Sequence, residues 1–332
     1  MNINIIGAGT FGIAFASYLS NNNHHILVYH RNSHSSQTLI RNKEHPYLKG
    51  HKISNEIDFN NIERYGFENF NPNYLTILAI PSSAISASIS CIIEKSKECK
   101  FLLLSKGFDI KTGMLPGELL EKKFNIHPNN IAVLSGPNHA EEIMNCKPTA
   151  TTISSVNVEF SKELQSTLSS NIFRVYTSEN ITGVQIGGAI KNVIAIASGL
   201  CIGLGLGDNT QAALVSRGMN EILQLSTIYN LDKKTLYGLS GLGDLIATCY
   251  SSHSRNRQLG ILLGKGKRIE EAKSEIGMVS EGINTCKILN EISNKHNIEM
   301  PICNEVYKIM FENLDPKTSL YNLMTRRLKE EN

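Results

Sequence analysis

The chain has 332 residues, of which 41% are hydrophobic and 19% charged, and its formal net charge is +3. This composition excludes a disordered chain and leaves length for about two domains of 100–200 residues each. The basic residues are scattered, apart from Arg326-Arg327-Leu328-Lys329, which reads as a solvated helix end, so nothing points to nucleic acid as a partner. Seven cysteines without a C-x-x-C pair predict neither a disulfide framework nor a zinc site, and they suit a reducing, cytoplasmic setting with no metal.

The N-terminus shows no basic segment followed by an apolar one, so no signal peptide is expected. Instead Asn2–Ile6 reads as a short buried strand that runs into Gly7-Ala-Gly9-Thr10-Phe11-Gly12 and then into a helix of small and apolar residues. This is the strand–turn–helix setting of a dinucleotide fingerprint. Gly7 permits the turn, Gly9 lets the backbone approach a pyrophosphate, and Gly12 lets helix and strand pack closely. The alternative is a glycine-rich packing turn that binds nothing.

A second strand at 25–29 leads to Tyr29-His30-Arg31-Asn32. A site selective for NAD places a carboxylate there for the ribose hydroxyls, yet no acidic residue precedes Glu44. Arg31 suits a 2′-phosphate, so NADP(H) is expected to be preferred and NAD(H) tolerated. Otherwise Arg31 is a solvated cation stacking on adenine.

Further strands are predicted at 75–80, 101–105, 131–135, 149–156 and 172–177, with helices at 83–97 and 115–124. This alternation predicts an α/β fold whose first half is a doubly wound, parallel, Rossmann-type sheet. Two polar segments follow its strands, Leu104-Ser-Lys106-Gly and Ser135-Gly136-Pro-Asn138-His139-Ala140.

From residue 181 the apolar spacing becomes three and four, which predicts helices at 186–197, 210–229, 283–296 and 303–311. The expected domains are 1–180, dinucleotide-binding, and 181–332, all-helical and catalytic. Lys191 and Asn192 stand inside an otherwise apolar helix. Burying a lysine costs several kcal/mol unless it is paired, although snorkelling to water would also account for it. The most apolar run, 193–207, is about 15 residues, short of the roughly 20 that span a bilayer. Four glycines between Gly199 and Gly207 predict a turn or a close helix approach. Asp244 follows a glycine-rich stretch at a helix start, and Ser251–Arg257 gathers groups that suit a phosphate.

These segments together resemble the bacterial NAD(P)-dependent glycerol-3-phosphate dehydrogenase family. The likeness runs through GAGTFG, LSKGFD, SGPNHA, GGAIKNVIAIASG, GLGLGDNTQAAL, LSGLGDLIATC, SRNRQLG and VSEGINT, in that order over nearly the whole chain. Thr10-Phe11 stands where Ser-Trp is frequent in that family, and Asn138-His139 where Ser-Phe is frequent.

The resemblance implies reversible reduction of dihydroxyacetone phosphate to sn-glycerol 3-phosphate, feeding glycerophospholipid synthesis. It implies Lys191 as catalytic acid and base, Lys106 in contact with substrate and cofactor, and Asp244 and Asn192 as positioning groups. Gly136 and Asn138 would contact the glycerol phosphate, while Ser254, Arg255 and Asn256 would hold its phosphate. Thr10, Phe11, Arg31, Ala140, Arg255, Val279 and Glu281 would line the cofactor. A homodimer would fit the glycine-rich second half. A different phosphosugar or β-hydroxyacid dehydrogenase, and a non-catalytic NADP(H) sensor, are the competing readings.

Overall fold

The structure is a computed structural model that describes residues 1–31, 34–277, 280–328 and 330–331. Eight strands form one sheet: β1 (Asn2–Ile6), β2 (His25–His30), β3 (Ile57–Asn61), β4 (Leu75–Leu78), β5 (Phe101–Leu103), β6 (Ile131–Ser135), β7 (Thr149–Ser154) and β8 (Phe173–Ser178). Their spatial order is β3-β2-β1-β4-β5-β6-β7-β8. Strands β1, β4, β5 and β6 are buried on both faces, as parallel strands covered by helices must be, apart from the first residue of β1.

Two features differ from the sequence expectation. Strand β7 runs antiparallel to β6, and β8 then runs parallel to β7. The sheet is therefore not parallel throughout: the connection 136–148, with its short helix Ala140–Met144, brings the chain back beside β6 in the opposite direction. Strand β3 was not expected at all. Its sequence, Ile-Asp-Phe-Asn-Asn, lacks an apolar run because it is an edge strand, half exposed and paired only to β2.

Strand order reverses between β1 and β4, which opens a crevice at the strands' carboxyl ends. The glycine turn lies there. Gly7 has φ +119°, and a Cβ on it would fall 2.5 Å from the Ala79 carbonyl oxygen just past β4. A Cβ on Gly12 would meet the Gly7 carbonyl at 2.2 Å, whereas one on Gly9 would meet nothing within 4 Å. Gly7 and Gly12 are thus required for packing, and Gly9 leaves open space above the turn.

The helical half is built around one 23-residue helix, Ile181–Gly203, which begins three residues after β8 ends. This helix is long and apolar enough to cross a membrane by length and composition, which corrects the shorter run read from the sequence, and nearly all of it is buried inside the protein. Ile186, Ile190, Val193, Ile194 and Ile196 are fully enclosed, and each such side chain stabilises by roughly 1.5–3 kcal/mol. Around it pack the helices Asp208–Gln224, Asp244–Tyr250, Arg255–Gly264 and Glu281–His296.

The glycines at 199–207 divide into two roles: Gly205, with φ +76°, turns the chain after the helix, and the earlier two admit a close helix approach. The helix continues through Gly199 and Gly203, which meet Gly260 and Gly264 of the helix Arg255–Gly264. A Cβ on Gly199 would lie 2.0 Å from the Arg257 carbonyl, and one on Gly260 would lie 2.0 Å from the Ile196 carbonyl. The two backbones therefore touch along a seam of four glycines. Near the chain end Arg326 pairs with Glu299 at 3.2 Å, and Lys329 lies outside the described residues.

Gly260→Ala is expected to destabilise the protein by about 3 kcal/mol or more, since backbone must move to admit the methyl group. Gly207→Ala, which meets nothing within 4 Å, should cost no more than about 1 kcal/mol at its helix-start position. Urea unfolding of both variants checks the contrast.

Candidate active site

The loops after β5 and β6 deliver polar groups to a common point. After β5, Ser105 Oγ donates to the Ile80 carbonyl at 2.5 Å and fixes the loop that carries Lys106. Gly107 follows with φ +146°, and a Cβ there would lie 2.9 Å from a Glu281 carboxylate oxygen. Lys106 Nζ donates to the Gly136 carbonyl at 3.1 Å, to Asn138 Oδ1 at 3.0 Å and to Asp244 Oδ2 at 2.9 Å. The first two partners belong to the turn that follows β6.

Asp244 is the first residue of helix Asp244–Tyr250, a favourable place for a carboxylate near the helix dipole. Its other oxygen, Oδ1, accepts from Lys191 Nζ at 2.5 Å, and Lys191 also donates to Thr248 Oγ1 at 2.9 Å. Thr248 Oγ1 in turn donates to the Asp244 carbonyl at 2.6 Å. One carboxylate therefore bridges two ammonium groups, with side-chain exposures of 3% for Asp244, 7% for Lys191 and 17% for Lys106. Lys191 is paired, not snorkelling.

Burial pushes the Lys191 pKa down from 10.5 to about 8; Asp244 opposes that shift and Lys106 reinforces it. Burial would raise Asp244, but the two ammonium groups outweigh it and hold the carboxyl below its usual range. The cluster can thus keep a carboxylate ionised while its buried lysine exchanges a proton near neutrality. Two of the three Lys191 N–H groups are engaged by Asp244 and Thr248, which leaves one for a substrate oxygen.

Beside the lysines, Asn192 Oδ1 accepts from Asn256 Nδ2 at 2.9 Å. Asn256 Oδ1 accepts from Ser280 Oγ and, at 3.1 Å, from the Gly282 amide. This chain ties three helices together, so the Asn256 amide is committed to packing. Ser254 Oγ caps helix Arg255–Gly264 by accepting from the Arg257 amide at 3.2 Å. Arg255 opens that helix within electrostatic range of Glu141 and Glu281; burial lowers its pKa and the two carboxylates act against that. Glu281 accepts from the Ser82 amide at 3.1 Å and from Ser82 Oγ at 2.9 Å, bridging the helical half to the loop after β4. Burial raises the Glu281 pKa, against the Ser82 bonds and Arg255.

At the glycine turn, the helix Thr10–Asn21 has Gly9 at its start, no side-chain cap and no acidic residue in its first turn. Its leading N–H groups and the open space over Gly9 fit the pyrophosphate of a dinucleotide. Thr10 is buried at the first helical position, and Phe11 stacks on Phe15 with ring centroids 6.0 Å apart. Ala140 is buried at the start of a short helix packed against the same core. Arg31 is exposed just past β2, with its carbonyl accepting from Ser36 Oγ at 2.7 Å. Val279 lies outside the described residues.

The structure therefore brings Lys106, Gly136, Asn138, Lys191 and Asp244 into direct contact, and sets Asn192 with Asn256 and Arg255 with Glu281 alongside. Three residues missed in the sequence take part. Thr248 had a signal, since it lies one helical turn after Asp244. His139 was seen only as part of its motif, and Ser82 had no signal, lying in an ordinary loop. Among the described residues no group of three or more His, Cys, Asp or Glu side chains could hold a metal ion.

Known proteins are similar to this chain over nearly its whole length. The family model described as the N-terminus of NAD-dependent glycerol-3-phosphate dehydrogenase matches residues 2–161, and its C-terminal counterpart matches residues 180–321. The chain is 39% identical to a glycerol-3-phosphate dehydrogenase (NAD(P)+) of Clostridium botulinum (strain Eklund 17B / Type B), over 99% of this chain and 98% of that protein. It is also 39% identical to the protein of that name from Thermoanaerobacter sp. (strain X514), over 100% and 99% of the two chains. Among solved structures, glycerol-3-phosphate dehydrogenase from Coxiella burnetii superposes with a TM-score of 0.89 at 31% identity, covering 98% of this chain and 99% of that one.

Replacing Asp244 by Ala would leave two lysines without their shared anion. The variant should lose about 3–5 kcal/mol of stability at pH 7. The loss should shrink as pH rises past about 8, where Lys191 sheds its charge. Unfolding curves measured from pH 6 to pH 9 check both the size and the direction.

Proposed function

The chain belongs to the NAD-dependent glycerol-3-phosphate dehydrogenase family, and from that premise we propose how its own residues perform the reversible, NAD(P)-linked reduction of dihydroxyacetone phosphate to sn-glycerol 3-phosphate. The observation that carries the proposal is the Lys106–Asp244–Lys191 bridge beside the carboxyl ends of β5 and β6. When bound, the nicotinamide cofactor supplies or accepts the hydride at the substrate's central carbon. The chain's own residues handle the proton, the charge and the geometry.

In the reducing direction negative charge grows on the ketone oxygen, and Lys191 Nζ donates a proton to it. In the oxidising direction neutral Lys191 takes the hydroxyl proton. A pKa near 8 leaves both forms accessible around neutral pH. Lys106 is a second fixed cation beside the same oxygen, and its field is strongest where water is excluded. Asp244 and Thr248 orient Lys191, and Asn192 holds its helix in register with the helix Arg255–Gly264. At the other end of the substrate Arg255, Ser254 and the first-turn N–H groups of that ten-residue helix receive the phosphate. Asn256 supports that helix start, and Gly136 and Asn138 line the substrate between the two ends. Binding energy from the phosphate then places the reacting carbon in register.

On the cofactor side, residues 1–180 hold the dinucleotide and residues 181–332 close over it. Thr10, Phe11, Ala140 and Glu281 line its path, with Ser82 holding Glu281 in place. Arg31 stands where the 2′-phosphate of NADP(H) would lie, in a chain with no acidic residue before Glu44, so NADP(H) is preferred. The product would serve glycerophospholipid synthesis, in the cytoplasm, and a homodimer is the proposed assembly.

Two variants test the assignments by nicotinamide absorbance with dihydroxyacetone phosphate as substrate. Lys191→Ala should fold and bind NADPH while kcat falls by about a thousandfold or more; near-normal turnover would remove Lys191 from its role. Arg31→Ala should raise KM for NADPH by roughly tenfold and leave KM for NADH within about twofold. Equal changes for the two cofactors would refute the NADP preference.

A further inference from the structure

Arg255 is a single cation with two carboxylates, Glu141 and Glu281, in electrostatic range. A phosphate dianion received there meets, besides Ser254 and the helix-start N–H groups, one guanidinium offset by two carboxylates, while the ammonium groups of Lys106 and Lys191 are committed to Asp244. Two imidazoles stand next to this site without an assigned role. His139 follows Asn138 and precedes the helix Ala140–Met144, and its Nε2 lies 3.5 Å from the Ala247 carbonyl, one residue before Thr248. His253 sits in the exposed loop immediately before Ser254 and Arg255. The two rings are 6.3 Å apart between centroids, inclined at 50°.

We propose that His139, with His253 packed beside it, forms a second, proton-dependent contact for the phosphoryl end of the substrate, beside Arg255. The proposal rests on the reading above that the phosphate binds at Arg255. The groups that bear on His139 are Lys106 after β5, Lys191 on the helix Ile181–Gly203, and Asp244 on the helix Asp244–Tyr250. Glu141 lies two residues further along. Burial, with the two lysines, holds the His139 pKa below its ordinary value, against Asp244 and the Ala247 carbonyl. The ring is therefore neutral at pH 7 before substrate arrives. A phosphate dianion reverses that field and favours the imidazolium form of His139. Substrate binding then takes up a proton. The added affinity is fully present at low pH and is lost as pH rises through the pKa of the substrate-bound state.

The test is KM for dihydroxyacetone phosphate at saturating NADPH, from pH 6.0 to pH 8.5, in the wild type, His253→Gln, His139→Gln and Arg255→Ala. His253 is exposed, so its variant tests the idea even if the more enclosed His139→Gln folds poorly. Each histidine variant should show KM raised about fivefold at pH 6 and converging on the wild type by pH 8.5. Taking the ratio to wild type cancels the second ionisation of the substrate's own phosphate. A ratio that stays at one, or is raised equally at every pH, would overturn the proposal. Arg255→Ala should raise KM throughout. If it does while the histidine ratios stay flat, the phosphate reading stands and the proposal alone fails. If KM does not move in Arg255→Ala, the phosphate lies elsewhere and the proposal falls with it.

Discussion

The rest of the molecule is organised around one buried carboxylate. Asp244 accepts from Lys106 on one oxygen and from Lys191 on the other. Those lysines come from opposite halves of the chain, one from a strand end and one from the middle of an apolar helix. A lone ammonium in the position of Lys191 would cost several kcal/mol. Asp244 makes the position tolerable, and the incomplete compensation leaves the lysine with a pKa of about 8. The same bridge therefore holds the two halves in register and sets the protonation of the proposed proton carrier.

Holding that bridge demands close helix packing. The helix Ile181–Gly203 lies against other backbone at several glycines. Gly187 abuts the Ser240–Gly241 stretch that leads to Asp244, and Gly199 and Gly203 abut Gly260 and Gly264. The Asn192–Asn256 amide pair then fixes the rotation of one helix against the other, and Ser280 and Gly282 anchor Asn256 from a third. Arg255 and Lys191 are consequently set at a fixed distance by a seam that side chains larger than hydrogen would open. For a substrate with a phosphate at one end and a ketone in the middle, that fixed distance is the proposed basis of recognition.

Much of this was legible in the sequence. The glycine fingerprint after β1 is a local signal, because a buried strand, a turn and a helix start are all read from adjacent residues. Lys191 was legible as an anomaly, a charge within an apolar helix, and Asp244 as an acid at a glycine-rich helix start. That the two touch was not readable from spacing, since they lie 53 residues apart and meet only through tertiary packing. The reversal of β7 was hidden for a similar reason: strand direction depends on the connection, not on the strand's own residues. Strand β3 escaped because an edge strand needs little apolar surface. The expected helix 186–197 stopped short of the glycines at 199 and 203, through which the helix continues, and the apolar run was counted only from 193 because Lys191 and Asn192 precede it, although both are buried. Glu281 and Ser82, 199 residues apart, likewise join only once the halves are folded.

The most direct test of the Asp244–Lys191 account is the pH dependence of kcat/KM for sn-glycerol 3-phosphate oxidation, which reports the free enzyme's essential base. The rate should rise with a slope of one and level off with an apparent pKa near 8, as the neutral form of Lys191 becomes available. That value would belong to the Lys106–Asp244–Lys191 cluster as a whole. A profile that is flat through this range, or that still climbs toward the ordinary lysine value of 10.5, would contradict the account.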